Sequence, residues 1–158
     1  MPMTPAIQYL DRSGVTYQAH EYEVTEQVGD GYGEAVARAI GLPAARVFKT
    51  LVARVDADPV VAVIPVDRRL STKLLAKAMG GKRGALASPE EAERLTGYVV
   101  GGISPFGHKR RLRLFLDRSA EHFSTIAVSG GRRGVQLELS PTDVLRLTGG
   151  ALADLTDR

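Results

Sequence analysis

Two runs of chain, Val47 to Val55 and Val60 to Val66, are separated only by Asp56-Ala57-Asp58-Pro59. The second run is almost continuously apolar and is interrupted only at Pro65. A segment of that kind belongs at the centre of a sheet, where both faces are covered. The acidic, proline-bearing segment before it reads as a turn, so the two runs are expected to lie side by side. Whatever else the chain does, it must supply layers to cover this pair. Its 158 residues are enough for one domain of ordinary size with a sizeable core, and one domain over residues 1–158 is expected.

Signals for the covering helices are explicit. Thr4-Pro5 opens a helix with Ile7 and Leu10 inward and Gly14 as its stop. Ser71, Ser88 and Ser140 each stand as caps before helical runs that end at Gly80, Gly97 and Gly149, and Glu34 to Ile40 forms another run ending at Gly41. Val15 to Tyr22, Tyr98 to Val100, Arg111 to Asp117, Thr125 to Ser129 and Val135 to Leu139 read as further strands, and the tail from Ala151 as a short terminal segment. The sum is an α+β fold in which helices surround a mostly antiparallel, mixed sheet or a barrel-like sheet.

Within the first run, alternation places Val47, Lys49, Leu51, Ala53 and Val55 on one face and Phe48, Thr50, Val52 and Arg54 on the other. Lys49 therefore shares its face with four apolar residues. It either snorkels to water from the end of the strand or serves as a cation on the floor of a pocket. Gly101-Gly102-Ile103-Ser104-Pro105-Phe106-Gly107 adds a loop without Cβ atoms at its start and with restricted backbone at Ser104-Pro105. Such a loop is either an ordinary turn or a cradle whose N–H groups meet an oxygen-rich ligand. Gly130-Gly131-Arg132-Arg133-Gly134 is a second glycine-rich loop, this one basic, and Tyr32 at the entry of a helix either packs or faces a pocket.

The net charge of +3 is modest, but cations cluster at Arg68-Arg69, Lys73 with Lys77, Lys82-Arg83, Lys109-Arg110-Arg111 and Arg132-Arg133. Their grouping points to an anionic partner such as a phosphate backbone. There is no cysteine, which removes disulfides, thiolate metal ligands and a cysteine nucleophile. His20, His108 and His122 are scattered outside any metal-binding spacing, and neither a nucleophile elbow, a dinucleotide fingerprint nor a complete Walker A is present. No metal and no cofactor are expected. The N-terminus has no secretory pattern and no run is long enough to span a bilayer, so the expected location is the cytoplasm, with no membrane partner.

Three ordered segments carry a resemblance: Phe48-Lys49-Thr50-Leu51, Thr96-Gly97-Tyr98-Val99-Val100-Gly101-Gly102-Ile103-Ser104-Pro105, and Val128-Ser129-Gly130-Gly131-Arg132-Arg133-Gly134. Together they resemble the bacterial YbaK family of aminoacyl-tRNA deacylases, whose members are similar to the editing domain of some prolyl-tRNA synthetases. The resemblance implies a free-standing enzyme that removes cysteine from Cys-tRNA(Pro), with the acceptor end of aminoacyl-tRNA as partner and prolyl-tRNA synthetase as a second. It assigns the essential lysine to Lys49, the substrate-binding loop to Gly101, Gly102, Ile103, Ser104 and Pro105, and pocket-lining roles to Tyr22, Tyr32 and Ser129. Tyr32 stands where relatives often carry Phe, and Gln136 occupies a variable position. The substrate's own thiol is the nucleophile that the family's chemistry implies, with Lys49 and the loop supplying position and charge. Lys73, Lys77, Lys109, Arg110, Arg111, Arg132 and Arg133 are the candidates to contact tRNA. Two other readings fit the same residues: deacylation of alanyl or seryl esters with water as nucleophile, and a non-catalytic RNA- or nucleotide-binding module.

Overall fold

A computed structural model describes residues 3–25 and 27–157. Helices α1 (Pro5–Ser13), α2 (Tyr32–Ile40), α3 (Thr72–Met79), α4 (Pro89–Thr96) and α5 (Pro141–Thr148) alternate with strands β1 (Gln18–Glu21), β2 (Phe48–Val55), β3 (Asp58–Pro65), β4 (Gly84–Leu86), β5 (Arg113–Asp117), β6 (Ile126–Ser129), β7 (Val135–Leu139) and β8 (Ala151–Ala153). The caps do what their residue types predict. Thr4, Ser71, Ser88 and Ser140 each accept a hydrogen bond from the backbone N–H three residues on, and each helix stops at a left-handed glycine.

The β2–β3 hairpin is the spine of a five-stranded sheet ordered β4-β2-β3-β5-β8, and β1-β7-β6 forms a second sheet of three strands. Val60 to Ile64 on β3 are wholly buried, because helices and loops cover both faces of this strand. Pairings β3–β5 and β5–β8 are parallel and the other ladders antiparallel, so the sheet system is mixed. Parallel pairing requires crossovers, which α3 with α4 and then α5 provide. The barrel-like alternative is corrected. Among the described residues the parallel bridge Val47–Ala127 is the one ladder contact between the two sheets, so they pack on a shared core without closing into a barrel and leave an open junction.

Alternation divides the core as expected from β2. Phe48 and Val52 pack with Val61, Val63 and Leu114 on one face, while Ala53 and Val55 pack with Ala62, Ile64 and Leu75 on the other. A third cluster, Val36, Ala37, Val47, Val66 and Ala127, seats α2 over the junction of the sheets. Gly33 permits this seating, since a Cβ there would come within 2.5 Å of the Val66 side chain.

Two strands arise where the sequence reading had none. β4 is a short edge on β2, and β8, within the terminal segment, adds beside β5. Conversely, Tyr98 to Val100 is not a strand. The left-handed Gly97 turns the chain away from any ladder, Val99 is exposed, and the Gly102 N–H closes a turn onto the Val99 carbonyl at 2.8 Å.

Candidate active site

The open junction brings several side chains together. From the Val47–Ala127 bridge, β2 and β6 run parallel, so Lys49 and Ser129 each stand two residues further along, on the same face as the bridge. Ser129 pairs directly with Gln136 on β7, and Gln136 pairs with His20 on β1. Tyr22 lies two residues past His20, and its hydroxyl accepts a hydrogen bond from Gln136 Nε2 at 3.4 Å. Register thus sets Gln136 and Ser129 side by side with Tyr22 at their end, and Lys49 stands on the neighbouring strand two residues beyond the bridge.

A cavity of about 780 Å³ lies at this junction, lined among others by Tyr32, Lys49, Thr50, Gly101, Ser129 and Gln136. Thr50, Ser129 and Gln136 are only 7%, 8% and 6% exposed. Thr50 Oγ1 and Gln136 Oε1 have no hydrogen-bond partner among the described residues. A buried oxygen without a donor is costly, and both of these belong to residues of the cavity wall.

Lys49 is half-buried, and burial lowers its pKa from the ordinary lysine value. Glu34 opposes that shift, Arg69 reinforces it, and Asp30 and Asp67 oppose it more weakly. Lys49 lines the cavity with its side chain partly covered. Burial also pushes the Tyr32 hydroxyl up, with Tyr22 beside it adding to the shift and Arg133 countering it. A hydroxyl kept neutral here is a hydrogen-bond donor or acceptor and not an anion.

The Gly101–Gly107 loop divides in two. Gly101 and Ile103 line the cavity, whereas Gly102, Ser104 and Pro105 are buried outside its lining. Gly101 has φ of 94°, and a Cβ there would crowd Val28 at 2.7 Å and Arg133 Nε at 3.0 Å. At Gly102 a Cβ would lie 2.6 Å from the Arg132 Cα, so the two glycine-rich loops touch backbone to backbone. The Gly102 N–H is already committed to Val99, which excludes it as a ligand donor. Gly101 and Ile103 are the cavity-lining loop residues whose N–H groups have no hydrogen bond to another described residue. Behind them, the Tyr98 hydroxyl donates to the Phe106 carbonyl and His108 Nε2 meets the Ser104 carbonyl at 2.6 Å. Pro105 belongs instead to a second cavity of about 340 Å³.

The candidate tRNA contacts are all exposed but do not form one patch at the cavity. Arg133 reaches across Gly101, and Arg132 supports the loop through its backbone. Lys73 and Lys77 project from α3, Lys109 packs at Gly97, and Arg111 lines the second cavity. Arg68 and Arg69, noted in the sequence only as a basic cluster, line the main cavity at its exposed side. Thr50 and Gln136 were also missed as site residues. The period-two pattern gives their faces, but only the packing of the sheets reveals that their oxygens have no partner. Among the described residues no group of His, Asp and Glu side chains could hold a metal ion, and no helix is long and apolar enough to cross a membrane.

A half-buried lysine, orphaned acceptors and free loop N–H groups around one cavity match what an ester-binding site needs, without a nucleophile from cysteine. Residues 29–147 match the aminoacyl-tRNA editing domain family, and the chain belongs to that family. Among its relatives, an Enterococcus faecalis protein named "Putative Cys-tRNA(Pro)/Cys-tRNA(Cys) deacylase EbsC" is 38% identical over 98% of this chain and 94% of its own. The Escherichia coli K12 "Multifunctional Ser/Thr-tRNA deacylase ProXp-y" is 31% identical over 84% of this chain and 83% of its own. The fold agrees with a solved "putative trans-editing enzyme for prolyl tRNA synthetase", with a TM-score of 0.85 at 24% identity, covering 99% of this chain and all of that one.

Proposed function

We propose that this protein is a trans-acting deacylase that cleaves the ester of mischarged Cys-tRNA(Pro), acting as one editing domain in the cytoplasm. The observation that carries the reading is the cavity at the sheet junction, which Lys49, Ser129, Gln136, Gly101 and Ile103 line together, the last two with no N–H bond to another described residue. The likeness over 98% of the chain to EbsC supports the choice of cysteinyl ester.

An aminoacyl ester is already activated, so the site has to orient it and stabilise negative charge. The free loop N–H groups receive the carbonyl oxygen as it becomes an oxyanion. The Lys49 ammonium faces the ribose oxygen or the terminal phosphate. The cysteinyl thiol adds to its own carbonyl carbon, the bond to the ribose oxygen breaks, and the thiol proton passes to that oxygen. Water then opens the cyclic thioester and releases cysteine. Arg68, Arg69 and Arg133 line the approach for the phosphates of the acceptor end. Prolyl-tRNA synthetase, which charges this tRNA, is the partner from which the mischarged product comes.

The polar cavity end and the Ser/Thr-tRNA deacylase named among the relatives favour a second reading, in which water attacks alanyl, seryl or threonyl esters. Release of labelled amino acid from Cys-, Ala- and Ser-tRNA(Pro), with Lys49→Ala as control, separates the readings. Cleavage of the cysteinyl ester alone, lost in the control, supports the thiol route. Cleavage of all three requires water as nucleophile, and cleavage of none leaves a binding module.

A further inference from the structure

The strand edge facing the cavity carries information that no side chain shows. On β2 the Val52 carbonyl accepts from Ala87 N–H at 3.0 Å and the Asp56 N–H donates to Arg83 O at 2.7 Å, both on the β4 side. The Val47 carbonyl accepts from Val66 N–H on the β3 side. Successive residues of a strand point their peptide groups to opposite edges. Thr50 therefore directs its N–H and C=O to the edge shared with Val52, away from β3. On that edge β4 covers Ala53 to Val55 and the β6 bridge lies at Val47, so among the described residues no strand ladder includes Thr50. Thr50 lines the cavity, and its buried Oγ1 has no partner.

We propose that Thr50 holds the main-chain part of the aminoacyl group as an added strand residue would be held. An amino-acid ester carries an ammonium donor and a carbonyl acceptor with the spacing of one residue in an extended chain. In an antiparallel pair, two facing residues exchange both N–H···O bonds. The Thr50 carbonyl accepts from the substrate ammonium, and the Thr50 N–H donates to the ester carbonyl oxygen, adding to the loop donors on the developing oxyanion. This grip ignores the amino-acid side chain, so discrimination falls to the other end of the cavity at Tyr32, Ser129 and Gln136. The inference rests on the deacylase reading above.

The test replaces Thr50 by its α-hydroxy acid, which exchanges the backbone N–H for oxygen and keeps the side chain. The expected result is a loss of roughly tenfold in kcat/KM for Cys-tRNA(Pro), the factor that one hydrogen bond to a charged group contributes. The thermal midpoint falls only modestly, since the N–H lost faces away from β3 and the Lys49 carbonyl paired with Ile64 is weakened but kept. Thr50→Val, which keeps the peptide and removes the hydroxyl, loses less than the backbone variant. N-acetyl-Cys-tRNA(Pro), scored as acceleration over its own spontaneous hydrolysis, falls by a similar tenfold with the unmodified protein. Unchanged kcat/KM in the backbone variant, equal acceleration of the acetylated ester, or a larger loss in Thr50→Val than in the backbone variant each overturns the assignment while leaving the deacylase intact. Failure of the unmodified protein to cleave any aminoacyl ester overturns both.

Discussion

The Gly101–Gly107 loop contributes to two cavities that differ in kind. In the larger one, Thr50 and Gln136 present buried oxygens without donors, and Lys49 sits where burial opposes its charge. In the smaller one, lined by Tyr9, Phe106, His108 and Arg111, the Tyr9 hydroxyl and the His108 ring have partners. The Tyr9 hydroxyl donates to the Leu147 carbonyl at 2.8 Å, the Tyr9 and Phe106 rings stack at 6.3 Å, and His108 is bonded to Ser104. Polar groups that close on one another hold a loop in place. Polar groups left without a partner in a cavity wall add no such hold, and a cost of that kind is characteristic of functional sites.

The largest effect expected from that contrast is at Lys49. Lys49→Met removes the cation and should cut deacylation at least about a hundredfold, the scale of a lost electrostatic group at a reacting oxygen. The same change should raise stability at neutral pH by on the order of 1 kcal/mol, because a charged group disfavoured by burial is replaced by an apolar one. Since the folded-state pKa is lowered, the unfolded chain holds more protons in the window below the ordinary value of 10.5, and the native protein gains stability as pH rises through it. The advantage of the Met variant should therefore shrink towards high pH. Deacylation assays beside thermal melts at pH 7 and pH 10 check both halves; a variant that is inactive and also less stable at pH 7 would place Lys49 among the structural groups.

How far the sequence foretold this contrast differs from residue to residue. Lys49 was legible because period-two alternation set it among Val47, Leu51, Ala53 and Val55, and that pattern needs no tertiary information. The helix caps were legible for the same local reason. Thr50 was not, since its place depends on where β4 ends on β2 and where β6 bridges it, both consequences of how distant segments pair. β4 and β8 are three residues each and exist only because β2 and β5 offer edges. The loop was legible as a unit, but its division into cavity-lining Gly101 and Ile103 and buried Gly102, Ser104 and Pro105 depends on tertiary contacts such as that of Gly102 with Arg132, far along the chain.

That division predicts the next effect. Gly102→Ala would force a Cβ against the Arg132 backbone, where no flexible side chain can yield. A destabilisation of about 1–3 kcal/mol is expected, with kcat/KM falling as Gly101 and Ile103 are displaced. Chemical denaturation and deacylation measured together test it, and a variant with unchanged stability would mean the loops do not touch in solution. A smaller effect is expected at Tyr9, in the smaller cavity. Tyr9→Phe loses the bond to Leu147 and about 0.5–1.5 kcal/mol of stability, with deacylation unchanged.

The smallest effect concerns His108, and it probes whether the second cavity is structural throughout. Burial lowers the imidazole pKa below 6.5, opposed by the Ser104 carbonyl, so the folded state keeps the ring neutral where the unfolded chain protonates it. In that form Nε2–H donates to the Ser104 carbonyl and ties down the back of the loop. As pH falls from about 6.5 through the depressed folded value, the unfolded state takes up the extra proton and stability declines. Replacing the ring by His108→Gln should remove this part of the decline between pH 7 and pH 5 in thermal melts. Deacylation over the same range, measured well below the melting temperature, should keep one pH profile in the two proteins, because His108 touches none of the open groups at Lys49, Thr50 and Gln136. A profile that shifts with His108→Gln would break the contrast, since a satisfied group would then be setting the chemistry in the other cavity.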